Sequence, residues 1–168
     1  MSVRFKVNMT PKVMYGFMIH HNYTHFMGIF GVAFSVVSIA LGINQMNKAG
    51  LGSALIFFVI AAVLLVYAPL LLWVQAKRQV KSAAVFQKPL TYEMTETGVK
   101  VSQAGSEEET PWSVFTKATS TTQSLILYMD KTRAIIFPKD QMDGQCVAAV
   151  EMISTHMPPD RVKIRMVN

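Results

Sequence analysis

Two stretches interrupt an otherwise mixed pattern of polar and apolar positions. Residues 26–43 (FMGIFGVAFSVVSIALGI) and 51–74 (LGSALIFFVIAAVLLVYAPLLLWV) contain no Asp, Glu, Lys, Arg or His. As helices they extend roughly 27 Å and 36 Å, enough to cross the hydrocarbon of a bilayer. The intervening NQMNKAG, residues 44–50, predicts a tight turn, so the two runs read as a transmembrane helical hairpin. Ahead of it, SVRFKVNMT (2–10) alternates Val3, Phe5, Val7 and Met9 with Arg4, Lys6 and Asn8, the period-2 mark of a half-buried strand. Thr10-Pro11 then supplies an N-cap and a proline at the first helical position, opening a short helix that leads into the first apolar run.

Beyond the hairpin the period changes. Residues 91–96, 98–104, 110–119, 123–129 and 133–138 predict short strands rich in Thr, Tyr, Val, Ile and Phe, punctuated at Thr97-Gly98, Ala104-Gly105 and Asp130-Lys131. A helix is expected after Pro138, capped by Asp140 or Asp143, running to about 156 and stopped by Pro158-Pro159. Its apolar face is read as Cys146, Val150, Ile153 and Met157, and residues 161–167 alternate again as a last edge strand. The fold class is α+β, a two-helix transmembrane hairpin plus a small antiparallel β-domain capped by a C-terminal helix. The segments are 1–25 (strand and interfacial helix), 26–74 (hairpin), 75–88 (basic juxtamembrane linker) and 89–168 (cytoplasmic domain).

Composition supports that division. Of 168 residues 51% are hydrophobic and only 15% charged, and mean hydropathy is positive, too apolar for an ordinary soluble domain. The Lys and Arg of residues 1–88 meet no acid at all, because every Asp and Glu falls after position 88. A net charge of +6 in a soluble protein would suggest nucleic acid. Its clustering around apolar runs points to a membrane surface instead, and no nucleic-acid partner is expected.

Orientation follows from the flanking bases. Arg4, Lys6 and Lys12 precede the first span, Lys77, Arg78, Lys81 and Lys88 follow the second, and only Lys48 lies between. A multi-pass cell-membrane protein with both termini cytoplasmic is expected, with Tyr23 and Trp73 at headgroup level. The first apolar run starts some 25 residues in and is followed at once by another, which does not fit a cleaved signal peptide. The single cysteine, Cys146, rules out an intramolecular disulfide and a cysteine-based zinc site.

Small residues recur along both spans. Gly31, Ser35, Ser38 and Gly42 share one helical face, and Ala54, Ala61 and Ala68 share another, which predicts helix–helix packing through these stripes. Pro69 is expected to bend the second span. His20, His21 and His25 resemble a metal spacing, but no acid or cysteine in the first 88 residues completes a site, so interfacial histidines are the reading. Lys77, Arg78, Lys81 and Lys88 either set topology or draw anionic lipid, at about 1 kcal/mol per charge. Glu107, Glu108 and Glu109 read as a solvated hairpin tip, Trp112 as a core anchor, and Lys139 as an exposed lysine able to meet a phosphate. His156, Cys146 and the scattered carboxylates assemble no triad, phosphate loop or metal box, and the spans hold no charge of the kind that marks a transport path. No catalytic residue, cofactor or metal ligand is assigned.

Taken in order, two spans, a basic linker, PLTYEMTETGVKV (89–101), TPWSVFTKATST (110–121), LILYMDKTRAIIFPK (125–139) and a closing helix resemble the YcxB-like membrane proteins of bacteria. The specific elements are Pro111-Trp112-Ser113, the Leu127-Tyr128 strand and the Ile135-Ile136-Phe137-Pro138-Lys139 strand end. The resemblance implies a pleckstrin-homology-like barrel or sandwich on the cytoplasmic side of a membrane hairpin, with no reaction and no agreed ligand. The expected function is a membrane-anchored, non-enzymatic binding or regulatory module. Its partners would be the lipid bilayer and another membrane protein, the latter added to an exposed strand edge at 2–9 or 161–167. Two rivals are an immunity or envelope-stress factor, in which the spans carry the activity, and an anionic-lipid-sensing adaptor, in which the basic residues do.

Overall fold

The computed structural model describes residues 2–24 and 26–164. The chain divides into two compact units, one built from residues 1–14 and 79–168 and the other from residues 15–78.

The first unit is a sandwich. One antiparallel sheet has the order β1-β2-β3-β4, from Val3–Val7, Leu90–Met94, Gly98–Gln103 and Ser106–Pro111. The second has the order β7-β6-β5-β8, from Lys117–Ser120 (β5), Ser124–Tyr128 (β6), Ala134–Pro138 (β7) and Val162–Lys163 (β8). Alternation along β1 places Val3, Phe5 and Val7 in the core with Leu90, Tyr92 and Met94 opposite them. Leu125, Leu127, Ile135 and Phe137 close the core from the other sheet, and Phe137 meets Phe5 and Tyr92 edge-on at 5.4 and 5.1 Å. Helix α4, Cys146–His156, covers this core with Ala149, Met152 and Ile153.

Both faces of the second sheet are covered. By the same alternation Ile126 and Ile136 point away from the core, yet both are buried. The β6–β7 hairpin is fixed by Asp130, whose carboxylate accepts from the backbone N–H of Thr132 and Arg133, the Thr132 hydroxyl and the Arg133 guanidinium. These bonds, led by that from the Thr132 backbone, hold its carboxyl well below the usual range. Burial pushes the Tyr92 phenol up to about 12.

The second unit is helical. It holds most of α1 (Pro11–Tyr23), all of α2 (Phe26–Ala49) and most of α3 (Leu51–Ser82). Two helices, residues 28–49 and 51–82, are long and apolar enough to cross a membrane. Their large apolar side chains, from Ile29 through Phe34, Val36, Leu55, Ile56 and Val66 to Leu70, stand exposed.

Several expected boundaries move. Residues 44–49 continue the helix rather than forming a loop, and only Gly50, at φ +81°, breaks the path. The basic stretch 75–82 continues α3, and a short 3-10 turn at Ala84–Phe86 follows it. Glu107–Glu109 lie in β4, not at a hairpin tip; the turn is Ala104-Gly105, both at positive φ, as the tightest hairpins require. The expected strand 110–119 is broken by a 3-10 turn at Trp112–Val114. α4 begins at Cys146 because Asp143 and Gly144 both take positive φ, so neither Asp140 nor Asp143 caps it. Of the expected stripe Ile153 and Met157 are buried in the core while Cys146 and Val150 are only partly covered, and Ala149 and Met152 complete the buried face. The last strand pairs parallel to β5 at Ala118↔Val162, and residues 165–167 lie outside the described residues.

Candidate functional site

Within the helical unit, Ser35, Ser38, Gly42, Ala54 and Ala61 are buried, whereas Gly31 and Ala68 are half-buried. The Ser35 hydroxyl donates to the Gly31 carbonyl at 2.8 Å, so this polar group is satisfied within its own helix. Gly42 lies against Phe58 of α3: a Cβ built there would stand 2.8 Å from the ring. Tyr15 meets Trp73 edge-on at 5.1 Å, and the Lys77 ammonium sits 4.8 Å from the centroid of the same indole.

Lys77, Arg78 and Lys81 are exposed on one side of the last turns of α3, while Ala76 and Val80 are buried on the other. The helix stops at an amide: Gln87 Nε2 donates to the carbonyls of Val80 and Lys81, both at 2.9 Å. Gln103 of β3 donates in turn to the carbonyls of Val85 and Lys88. Lys88, also exposed, is thereby held beside the first sheet rather than in a free linker.

The expected docking edge at residues 2–9 is met by side-chain amides at two positions, Arg4 and Asn8. Gln145 accepts from Arg4 N–H at 3.3 Å and donates to Arg4 C=O at 3.1 Å. Gln141 accepts from Asn8 N–H at 2.6 Å and donates to Asn8 C=O at 3.2 Å. Each side-chain amide thus reproduces the donor and acceptor of a neighbouring strand. At the opposite edge, β4 carries Glu107 and Glu109 on the solvent face, where Ser102 and Thr97 donate to them and Lys100 lies 4.0 Å from Glu109. Glu108 points to the other face, opposite Val101, a charge that discourages a further strand.

A cavity of about 350 Å³ opens in the sandwich unit, lined by Thr10, Lys12, Val13, Thr122, Gln123, Lys139, Asp140 and Gln141. Three segments form it: the start of α1, the β5–β6 turn and the 3-10 turn at Lys139–Gln141. Lys139 N–H donates to Gln123 C=O at 2.9 Å, tying two of them. Gln141 ties the third through Asn8. The Thr121 hydroxyl orders the β5–β6 turn by accepting from Ser124 N–H at 2.9 Å and Gln123 N–H at 3.2 Å. The Thr10 hydroxyl caps α1 by accepting from Val13 N–H at 3.3 Å. Of these residues only Lys139 was read from the sequence as able to meet a phosphate; Thr10 and Asp140 were read as helix caps and Lys12 as a flanking base, and no local motif joins them.

Trp112 is buried and donates its indole N–H to Thr95 C=O at 2.9 Å. The imidazole of His156 stacks on it at 5.3 Å, with Nδ1 2.9 Å from Met152 O and Nε2 2.9 Å from a Glu96 carboxylate oxygen. His20 and His21 lie in the last turn of α1, and His25 lies outside the described residues.

Residues 95–153 match the family model described as YcxB-like protein. The match runs from the β2–β3 turn into α4 and bears out the resemblance over that part of the sandwich. No curated protein and no solved structure matches the chain.

Proposed function

We propose that the chain is a membrane-anchored, non-enzymatic binding or regulatory module, which holds a pleckstrin-homology-like domain at the inner surface of the cell membrane. The observation that carries this reading is the sidedness of α2 and α3. The sandwich buries its own core, yet the helices leave large apolar side chains exposed along their length, a surface that suits lipid and not water. The facing Gly/Ser and Ala stripes are the packing surface of the hairpin, supported by their burial and by Gly42 against Phe58. Pairing of β1 with β2, which puts residues 3–7 and 90–94 in one sheet, supports a hairpin whose two flanks share one side of the bilayer. The positive flanks favour the cytoplasm as that side.

Alkaline carbonate washing of cell membranes tests the anchor, and protease added to sealed cells tests the orientation. Retention of the chain and protection of residues 89–168 are the expected results. Release by carbonate would end the membrane reading, and external digestion would end the cytoplasmic one. The exposed basic face of Lys77, Arg78 and Lys81 favours a second reading, an adaptor that senses anionic lipid. Replacing these residues with Gln should then weaken association with anionic vesicles, most visibly at low salt.

A further inference from the structure

We propose that the cavity between the start of α1, the β5–β6 turn and the Lys139–Gln141 turn binds a phosphodiester that carries free hydroxyls, the chemistry of a glycerol-phosphate headgroup. This deepens the binding-module reading and depends on the membrane anchor only for where the ligand comes from. Its volume, about 350 Å³, falls among sites that hold small molecules and exceeds what a bare phosphate needs. Lys12 and Lys139 bring two ammonium groups from distant parts of the sequence, and each is a donor only. Asp140 brings one acceptor-only carboxylate, so the lining carries a single net positive charge.

That balance selects the ligand. A phosphodiester bears one negative charge and is neutralised by the set, whereas a monoester near two charges is not. The carboxylate would repel a second phosphate oxygen, but it accepts well from a hydroxyl, which a glycerol headgroup supplies. Thr10 already accepts from Val13 N–H, so its own O–H is what it offers to a ligand oxygen. The walls are fixed beforehand by the Lys139–Gln123 and Gln141–Asn8 bonds, which lowers the ordering cost of binding.

The test uses the full chain in phosphatidylcholine nanodiscs, titrated calorimetrically with soluble glycerophosphoglycerol and, separately, with inorganic phosphate. Saturable binding of the diester, tighter than that of phosphate, is expected. Lys12→Gln and Lys139→Gln should each weaken it about tenfold, Lys12→Arg should restore most of the loss, and Asp140→Asn should erase the preference over phosphate. Lys131→Gln, an exposed lysine of the β6–β7 turn outside the cavity lining, should leave it unchanged. Repeating the titration with phosphatidylglycerol in the disc separates the sources: competition identifies the lipid headgroup, and no competition identifies a free solute. Absence of saturable binding, or binding indifferent to both Gln variants while Trp112 fluorescence reports a folded sandwich, overturns the proposal. A chain that resists carbonate but binds no diester removes this site and leaves the anchor. A chain that carbonate releases removes the anchor, while the titration still decides the site.

Discussion

Replacing Gln141 and Gln145 together with Ala should both destabilise the sandwich and make it self-associate. Four hydrogen bonds disappear, at 3.3, 3.1, 2.6 and 3.2 Å, all at exposed positions where water takes over the backbone groups. At the low end of the net value for a hydrogen bond, about 0.5 kcal/mol each, the pair contributes about 2 kcal/mol. Trp112 lies in the sandwich core, so with Trp73 replaced by Phe its fluorescence reports unfolding of that unit in urea. With a slope of about 1–2 kcal/mol/M, the midpoint should fall by about 1–2 M. The freed edge of β1 then offers unpaired backbone groups to another chain, and sedimentation in detergent should show concentration-dependent association that the wild type lacks. Gln145→Glu separates the two halves of the amide, since the carboxylate still accepts from Arg4 N–H but faces Arg4 C=O with no proton to give. It should be no better than Ala near neutral pH and recover as the pH falls and the carboxyl regains a donor. An Ala pair with an unchanged midpoint and no association would show that these amides do not close the edge.

Other substitutions test other parts of the structure. Gly98→Ala would place a Cβ 2.2 Å from the Thr110 carbonyl oxygen, backbone that cannot step aside, so a loss of about 3 kcal/mol is expected in the same urea assay; a neutral result would mean that β3 and β4 do not pair in this register. Because the folded Tyr92 phenol is raised to about 12 while the unfolded one stays near 10, its contribution is complete below pH 10 and is lost as the pH rises to 12. Over that window wild type should lose about 2–3 kcal/mol more than Tyr92→Phe, and parallel curves would contradict the burial. Ser35→Leu overfills a fully buried position and should lower the thermal midpoint of the helices in detergent, at a cost of about 1–3 kcal/mol, while Ser35→Ala changes little; equal midpoints would place Ser35 on an open face.

Where the sequence misleads, it does so for physical reasons. The strands of the sandwich and the apolar helices follow from alternation and length, which are local signals. The loop expected at 44–50 rested on Asn and Gly, but Asn only weakly disfavours helix, and a real break needs the positive φ that Gly50 alone takes. The basic run after the second span looked like a linker because its charge changes, yet Ala, Lys, Arg and Gln, which make up all of AKRQVK but Val80, are good helix formers and charge does not end a helix. Three glutamates look like a turn until their partners are known; Lys100, Val101 and Ser102 lie across the ladder from them and make a strand of them. Gln141 and Gln145 lie at the far end of the chain from the strand β1 that they close, and Lys139 lies as far from Lys12. No window of sequence contains both members of either pair, so only the fold brings them together.

One strand of the sandwich is synthesised long before its neighbour. Val3 pairs with Met94, and between them the ribosome must make both apolar helices. At about 5–20 residues per second, β1 waits for roughly 5–20 s with nothing to lie against. During that interval an alternating segment with an apolar face is a natural client for a chaperone. A bulky fusion ahead of residue 3 should therefore depress the yield of a domain whose other strands all lie beyond position 89.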